Sequence, residues 1–330
     1  MDNNCSIILD SRTLAQLGKE TISGYGRAKV KRALQKSLTR GETEAACYWG
    51  AELLCSLRPE DAWEELISFY AQHINLGSTN LPVYLSERIN NFKAIAMAED
   101  ENDLRNNYDV RRIFAEVTAV LSMSRRRTPL HTPSRLGPSP FEITSLTSKL
   151  RAKRSNLSVS VMQHEDPGEI HIPINELMHH LTAPAGDLTL ACFWVDWLIA
   201  YTAAAKKAKQ RLLIVERDWV IPTGQLKRHP IWLVWHCCRS ATKEQDKHVR
   251  TVINALLNIF SLRFRESTSA KRRHLMYTAI AVVIDGPKKP VPICSNVENV
   301  TRAKNGIDLV YRQIKSREHK PRLMPHQMET

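Results

Sequence analysis

A stretch of fourteen residues near the start of the chain has a close counterpart in its second half. Residues 41–54 read GETEAACYWGAELL, and residues 186–199 read GDLTLACFWVDWLI. In each copy an acidic residue follows a glycine, and the dipole of a helix favours negative charge in its first turn. Ala46, Trp49 and Leu53 then recur at helical spacing and define one apolar face. The two stretches predict two helices that pack alike. The expected core residues are Trp49, Cys47, Trp194 and Cys192, with Trp63 from the helix that follows the first copy.

The likeness between the two halves extends beyond these stretches. Residues 229–233, HPIWL, correspond to residues 81–85, LPVYL, and the helical pattern that begins near His248 corresponds to the one near Asp109. Helical proteins reuse alanine, leucine and tryptophan, which accounts for any single match but less well for several matches in one order. We therefore predict a mainly α-helical fold with two duplicated helical bundles.

The pattern along the chain predicts five segments. They are a lead-in at 1–26, a first helical repeat at 27–123, a basic linker arm rich in proline and serine at 124–156, a second helical repeat at 157–300, and a basic C-terminal tail at 301–330. Alternating apolar residues within 158–173 predict a small β-hairpin that turns at 166–168. Residues 278–284 have the length of a strand, although the preceding helical pattern also continues through them. The tail is expected to hold one helix around 307–314 and then to fray.

The chain is strongly basic. Its 330 residues carry 47 Lys and Arg against 34 Asp and Glu, for a formal net charge of +13. This excess favours partners that carry phosphate or acidic groups, either nucleic acid or an acidic protein. An odd number of cysteines fits a disulfide framework poorly, and the sequence shows neither a signal peptide nor a long uninterrupted apolar run. We expect an intracellular protein with no membrane partner, in the cytoplasm or nucleus of a host or in a virion.

The sequence contains no motif of a familiar catalytic site. A phosphate-binding loop, a dinucleotide-binding glycine pattern, a nucleophile elbow and an HExxH zinc motif are all absent. Cys237 and Cys238 are adjacent, whereas the ligands of structural zinc are usually spaced apart, and the pair His179 and His180 is more typical of a helix surface. Asp196, between two tryptophans, is expected to orient a tryptophan or to pair with an arginine. We expect no enzymatic activity, no cofactor and no metal.

Clusters of basic residues are the best candidate binding sites. The arm at 124–156 has eight Lys or Arg against one acid, Glu142, and such a composition buries too little apolar surface to fold alone. Cations that neutralise phosphates release counterions, which makes the affinity depend on salt. No motif for reading bases is visible, so we expect binding to the phosphate backbone. The alternatives are a solvated helix face, plain solubility or a localisation signal. The candidate residues are Arg125, Arg126, Arg127, Arg151, Lys153, Arg154, Lys206, Lys207, Lys271, Arg272 and Arg273.

Part of the first repeat resembles a known family. Residues 36–49, KSLTRGETEAACYW, followed by two leucines, resemble the helical region after the motor in clamp-loader-related AAA+ ATPases. The resemblance covers about residues 30–80 and repeats near 176–235. It implies a collar-like helical bundle that holds subunits together in an oligomer or larger assembly. The Walker motifs of the family's motor are missing, so no ATPase activity is implied.

The second copy resembles a different group of proteins. With WVDW at 194–197 and IWLVW at 231–235, it looks like uncharacterised proteins of large nucleocytoplasmic DNA viruses. This resemblance implies a viral setting and no activity.

These observations leave two kinds of function open. One is a non-enzymatic, nucleic-acid-associated protein of a viral replication or genome-packaging system. The other is a structural assembly protein, such as a minor or inner capsid component whose basic arm threads between neighbours. A solvated or phosphate-facing arm favours the first, and an arm buried in protein grooves favours the second.

Overall fold

The structure is a computed structural model that describes residues 6–137, 140–182, 184, 186–286 and 292–317. Its described residues are mainly α-helical and include no strand. The helices in chain order are α1 (Leu14–Leu17), α2 (Arg27–Arg40), α3 (Thr43–Cys55), α4 (Pro59–His73), α5 (Leu81–Ala96), α6 (Glu101–Asn106), α7 (Tyr108–Met123), α8 (Ile143–Leu146), α9 (His171–Thr182), α10 (Leu188–Lys207), α11 (Ile231–Ala241), α12 (Lys247–Ser261), α13 (Thr268–Lys271), α14 (Arg273–Asp285), α15 (Val297–Asn305) and α16 (Ile307–Lys315).

The chain divides into two compact units. Unit 1 comprises the described residues of Met1–Phe69, Arg88–Ser124 and Cys294–Thr330, and unit 2 comprises those of Tyr70–Glu87 and Arg125–Ile293. These ranges differ from the segments expected from the sequence. Apart from Ser124, the described part of the basic arm belongs to unit 2, and the described part of the C-terminal tail belongs to unit 1.

In unit 1, α3 packs against α2 and α7. The inner face of α2 buries Val30, Leu34 and Leu38. The helix ends at Gly41, whose backbone is left-handed at φ 72° and whose N–H bonds to the last turn. Glycine takes this conformation without the clash that a Cβ causes, so the chain can turn sharply into α3.

The described part of the C-terminal tail contributes to the core of unit 1. Ile307, Tyr311 and Ile314 of α16 are buried together with Ile8, Ile22 and other residues of the N-terminal segment, α3 and α7. The helix expected around 307–314 is present as α16, and α15 precedes it. The fraying expected beyond α16 falls mainly on residues that the structure does not describe. Residues 318–330 lie outside the described part of the chain.

The core of unit 2 lies among α9, α10, α11, α12 and α14. Its largest fully buried side chains include Trp194 of α10, Trp232 and Trp235 of α11, Phe260 of α12 and Tyr277 of α14. Residues 278–284, which fitted either a strand or a continuing helix, form part of α14. The helical reading of that stretch is therefore the right one.

The β-hairpin predicted within 158–173 is wrong. The segment forms 3₁₀ turns at Leu157–Ser160 and Gly168–Ile170 and then enters α9. Asp166, placed at the expected turn, is buried and accepts hydrogen bonds from the backbone N–H groups of Gln163 and Val215, both at 2.8 Å, and from Arg217. The carboxylate therefore ties the segment to residues about fifty positions later in the chain, and it also accepts a local N–H, which a β-hairpin turn does not require.

The two repeated stretches both form helices, but their surroundings differ. Gly41 ends α2 with a positive φ, whereas Gly186 lies so close to the chain that a Cβ would be 2.0 Å from the carbonyl oxygen of His180. Asp187 caps α10 by accepting from the N–H of Leu190 at 2.9 Å, and Glu42 makes no such cap on α3. The duplication and the likeness to a clamp-loader collar stay predictions.

Four of the five expected core residues are buried, and Trp49 is not among them. Trp63, Trp194, Cys47 and Cys192 are at most 5% exposed, and Trp49 is only half-buried. The Trp49 ring meets the edges of two tyrosine rings, Tyr25 at 5.4 Å and Tyr48 at 5.0 Å between centroids. These partly exposed neighbours leave some of the indole open to solvent, so the expectation that Trp49 is core is corrected.

Helix α10 is long and apolar enough to cross a membrane by length and composition. In unit 2 it packs against α9 and α14, and it buries Trp194, Val195 and Trp197 there. A core helix passes the same test, so its length and composition are weak evidence for a membrane span.

Candidate nucleic-acid interface

The basic arm is held along unit 2 by hydrogen bonds to its backbone. At its start, the N–H of Arg127 donates to the carbonyl of His73 at 2.7 Å, and the Asn75 amide donates to the carbonyl of Thr128 at 3.1 Å. Gly77 fits closely here, because a Cβ would lie 2.7 Å from the carbonyl oxygen of Arg125. The first residues of the arm therefore follow a fixed course.

A buried carboxylate fixes the middle of the arm. Asp196, 3% exposed, accepts from the N–H of Ser134 at 2.7 Å. It also accepts from Arg273 at 3.1 Å and from the hydroxyl of Tyr277. His131, also on the arm, lies 3.5 Å from the same carboxylate. Asp196 thus pairs with an arginine, as one of the sequence expectations had it, and its charge is shared among several donors.

Aromatic side chains hold the next part of the arm. The indole N–H of Trp197 donates to the carbonyl of Pro140 at 2.8 Å. The ring of Phe141 packs edge-on against Trp197 at 5.5 Å and against Tyr201 at 5.1 Å. A proline-rich segment without helix or sheet is thereby given both polar and apolar contacts.

Helix α9 holds the end of the arm. The Glu176 carboxylate, 3% exposed, accepts from the N–H groups of Arg151 at 2.8 Å and Ala152 at 3.1 Å. The Asn175 amide donates to the carbonyl of Arg154 at 2.8 Å. Both polar side chains form hydrogen bonds with backbone groups of the arm. The side chains of Arg151 and Arg154 remain exposed.

The arm therefore has a defined course, which its composition did not predict. Proline-rich and serine-rich segments lack apolar surface of their own, but here buried polar groups of α9 and α10 satisfy the arm's backbone. The cations of the segment 151–154 project from a backbone held on both sides. Lys153 is exposed as well, and the ammonium of Lys149 lies 5.4 Å from the centre of the Phe193 ring.

The remaining candidate residues of unit 2 separate into exposed and structural ones. Arg126 is half-buried, and burial lowers the pKa of its guanidinium below the usual value. Lys206 is paired with Glu266. The exposed candidates are Arg125, Arg127, Arg151, Lys153, Arg154, Lys206, Lys207 and Lys271.

Two candidate arginines are part of the fold and are corrected here. Arg272 is buried and donates to the carbonyl oxygens of Phe260 at 2.8 Å and Leu262 at 2.7 Å, at the end of α12. Arg273 forms an ion pair with Asp196 at 3.1 Å. Buried arginines at such places stabilise carbonyls that have no partner within the helix. A run of three basic residues does not distinguish these roles from solvent exposure.

The polar residues considered for chemistry are also accounted for. Cys237 and Cys238 are buried, and burial raises the pKa of each thiol. A further buried acid, Glu52 of unit 1, accepts from the hydroxyl of Ser23 at 2.9 Å. Across the described residues, no group of three or more His, Cys, Asp or Glu side chains is arranged to hold a metal ion.

The anchors of the arm, Glu176 and Asn175, were missed by reasoning from the sequence. They lie within the apolar pattern of α9, where both are buried. A buried carboxylate needs charged or hydrogen-bonded partners, so a Glu within an otherwise apolar helical face was the available signal. The sequence does not predict the partners of Glu176, because they lie more than twenty residues earlier in the chain.

Comparisons with protein-family models, with curated proteins and with solved structures find no match for this chain.

Proposed function

We propose that the protein is a non-enzymatic, nucleic-acid-associated protein that binds the phosphate backbone through the arm of unit 2. One observation carries this proposal. Arg151, Lys153 and Arg154 are exposed on a backbone that Glu176 and Asn175 hold in place.

A held backbone strengthens phosphate binding by cations. A disordered basic arm loses conformational entropy when it binds, and that loss subtracts from its affinity. Here most of the ordering of the arm is part of folding, so the cations are placed before a ligand arrives. The net charge of +13 adds a long-range attraction that speeds the encounter with a polyanion.

The proposal includes no reading of base sequence. Specific recognition needs side chains that reach base edges in a groove, and it usually places a helix or a strand pair there. The arm instead presents cations from an extended segment, which suits phosphates. A role in a viral replication or genome-packaging system rests on the resemblance described above and stays a prediction.

The test compares the salt dependence of DNA binding in two variants of equal charge. The first variant changes four exposed arm residues to glutamine, and the second changes four exposed cations elsewhere in unit 2. The arm set is Arg127, Arg151, Lys153 and Arg154, and the control set is Lys243, Lys247, Arg250 and Arg265.

We expect the slope of log affinity against log salt to flatten only in the arm variant. On duplex DNA each lost phosphate contact reduces the slope by about 0.9, so four contacts give a change of up to about 3 to 4. The loss should be the same on unrelated sequences. Thermal unfolding should stay unchanged in both variants, because the altered side chains are exposed.

Two results would contradict the proposal. Equal flattening in both variants would mean that net charge alone drives binding. An unchanged slope, together with a loss of self-assembly measured by sedimentation in the arm variant, would favour the structural assembly protein whose arm contacts its neighbours.

A further inference from the structure

Helix α2 of unit 1 carries six cations and no acid. Two of them form ion pairs within the unit. Arg27 pairs with Asp61 at 2.5 Å, and Lys31 lies 2.9 Å from Glu65, both acids being on α4. These pairs attach one edge of α2 to its neighbour and leave four cations for the opposite edge.

The other four cations form a single exposed stripe, Lys29, Arg32, Lys36 and Arg40. Their spacing of three, four and four residues places them on one face of the helix over about 16 Å. Among the described residues, Lys29, Arg32 and Lys36 form no ion pair, and Arg40 has an exposed one with Glu42 at 3.6 Å. One strand of a DNA duplex carries about five phosphates over that length, and a more extended single strand carries fewer.

A group of partly exposed aromatic rings adjoins this stripe. Tyr25 and Tyr48 both meet the edge of Trp49, and all three rings are half-buried. The ammonium of Lys29 lies 5.8 Å from the centre of the Tyr25 ring. The guanidinium of Arg317 lies 5.8 Å from the centre of the Tyr48 ring and bonds to both tyrosine hydroxyls at 3.3 Å. Cations thus flank the rings on two sides.

We propose that this surface binds single-stranded nucleic acid, with phosphates on the α2 stripe and unpaired bases on the rings of Trp49 and Tyr25. Single-strand binding commonly combines a cationic track for the backbone with aromatic rings on which bases stack. Bases of a duplex are already stacked on each other and offer only their edges, so the rings favour unpaired bases. Stacking on a ring accepts every base, so we expect little preference among base sequences.

The site lies in unit 1 and shares no residue with the arm of unit 2. The inference therefore goes beyond the proposed function and stands or fails separately from it. Failure of the arm variant to change the salt slope on duplex DNA leaves this site untouched. Conversely, changes at Trp49 leave the arm's cations in place.

The experiment measures binding of a labelled oligothymidine to the full chain by fluorescence anisotropy. Trp49→Leu keeps apolar bulk against the tyrosines but removes the ring, and Trp49→Phe keeps a ring. Trp219→Leu is the matched control, since Trp219 is another half-buried tryptophan with a guanidinium, that of Arg239, 4.7 Å from its ring centre. A triple variant, Lys29→Gln, Arg32→Gln and Lys36→Gln, tests the stripe.

We expect Trp49→Leu to weaken oligothymidine binding at least about fivefold, from the usual contribution of one stacked base. Trp49→Phe should retain most of the affinity, and Trp219→Leu should retain all of it. The stripe variant should flatten the salt slope by about 2, at about 0.7 per contact on a single strand.

Intrinsic fluorescence gives a second readout. Oligothymidine should quench the wild-type signal, and Trp49→Phe should lose that quenching while Trp219→Phe keeps it. Full affinity and full quenching in the Trp49 variants, with an unchanged melting temperature, would overturn the inference. So would an unchanged salt slope in the stripe variant.

Discussion

At the scale of single residues, Gly41 and Gly186 meet different constraints. Gly41 needs a left-handed backbone at φ 72°, and Gly186 needs space, since a Cβ there would lie 2.0 Å from the His180 carbonyl oxygen. The first constraint can be met by alanine at the cost of some strain, because the left-handed region costs about 1–2 kcal/mol for such a residue. The second requires the backbone to move.

We predict that Gly186→Ala lowers the free energy of unfolding by about 3 kcal/mol, the upper end of what overpacking costs. Gly41→Ala should cost about 1 kcal/mol. Gly168→Ala is the control, because nothing lies within 4 Å of a Cβ there. Urea unfolding monitored by circular dichroism measures all three. A smaller loss for Gly186→Ala than for Gly41→Ala would contradict the close approach seen here.

These glycines also show how far residue patterns predict structure. A glycine followed by an acid correctly marked the start of a helix in both stretches. The reason for each glycine could not be predicted from the sequence. At Gly41 it is a left-handed backbone conformation, and at Gly186 it is the close approach of the His180 carbonyl in α9. Trp49 and Trp194 likewise share a place in the pattern, yet only Trp194 is fully buried.

At the scale of elements, α16 is the helix whose role was least expected. Its buried face of Ile307, Tyr311 and Ile314 completes a core that also contains Ile8 and Ile22. Arg111 reinforces the contact, with its guanidinium 3.9 Å from the centre of the Tyr311 ring and 3.1 Å from Asp308. The tail is basic, but its apolar face decides where it packs.

We predict that Ile314→Ala destabilises unit 1 by about 2–5 kcal/mol, the usual cost of truncating a buried isoleucine. Leu309→Ala, on the exposed face of the same helix at 64% exposure, should change stability by less than about 0.5 kcal/mol. Chemical denaturation of the full chain measures both variants. Equal effects would mean that α16 does not pack as described.

Helices with strong local signals were predicted well from the sequence. The helix expected after the first copy, with Trp63, is α4, and the helical pattern expected near Asp109 is α7. The predicted hairpin within 158–173 was wrong because an alternation of apolar residues is compatible with structures other than a pair of strands. Val161 and Ile170 are buried, but Asp166 at the turn is bound to Arg217 far along the chain.

The course of the arm could not be predicted for the same physical reason. Its backbone is satisfied by Asp196 and Glu176, which lie on helices far along the sequence. The composition of a segment indicates how much apolar surface it can bury by itself. It does not indicate which hydrogen-bond acceptors other helices provide for its backbone. Charge was the part that the sequence predicted well, since the arm's exposed cations are among those expected there.

At the scale of the whole molecule, the described histidines are confined to unit 2. Burial lowers the pKa of His229 and of His236 to about 4. It also lowers the pKa values of His73, His180 and His274. In unit 1 burial raises the pKa of the Glu52 carboxyl, although the hydroxyl of Ser23 acts in the opposite direction.

These shifts have opposite consequences as the pH falls. Between pH 6.5 and 4 an unfolded histidine binds a proton that buried His229 does not, so unit 2 loses stability as the pH falls through this range. Glu52 binds its proton more readily in the folded state, so it contributes no such loss to unit 1. Burial acts to raise the pKa of Asp61, but Arg27, Lys31 and Arg58 together outweigh it and lower the pKa. The stabilising contribution of Asp61 is therefore lost only below about pH 4.

We predict that unit 2 is destabilised selectively between pH 7 and pH 5, by about 1–2 kcal/mol for each of His229 and His236. Peptide-resolved hydrogen exchange, corrected for intrinsic rates at each pH, measures the two units in one sample. His229→Asn should remove part of the pH dependence, because the amide oxygen can still accept the Ile231 N–H that now bonds to Nδ1 at 3.1 Å. His164→Asn, at an exposed position, should leave the pH dependence unchanged. Equal loss of protection in both units at pH 5, or an unaltered pH dependence in His229→Asn, would show that the buried histidines do not govern the acid sensitivity of unit 2.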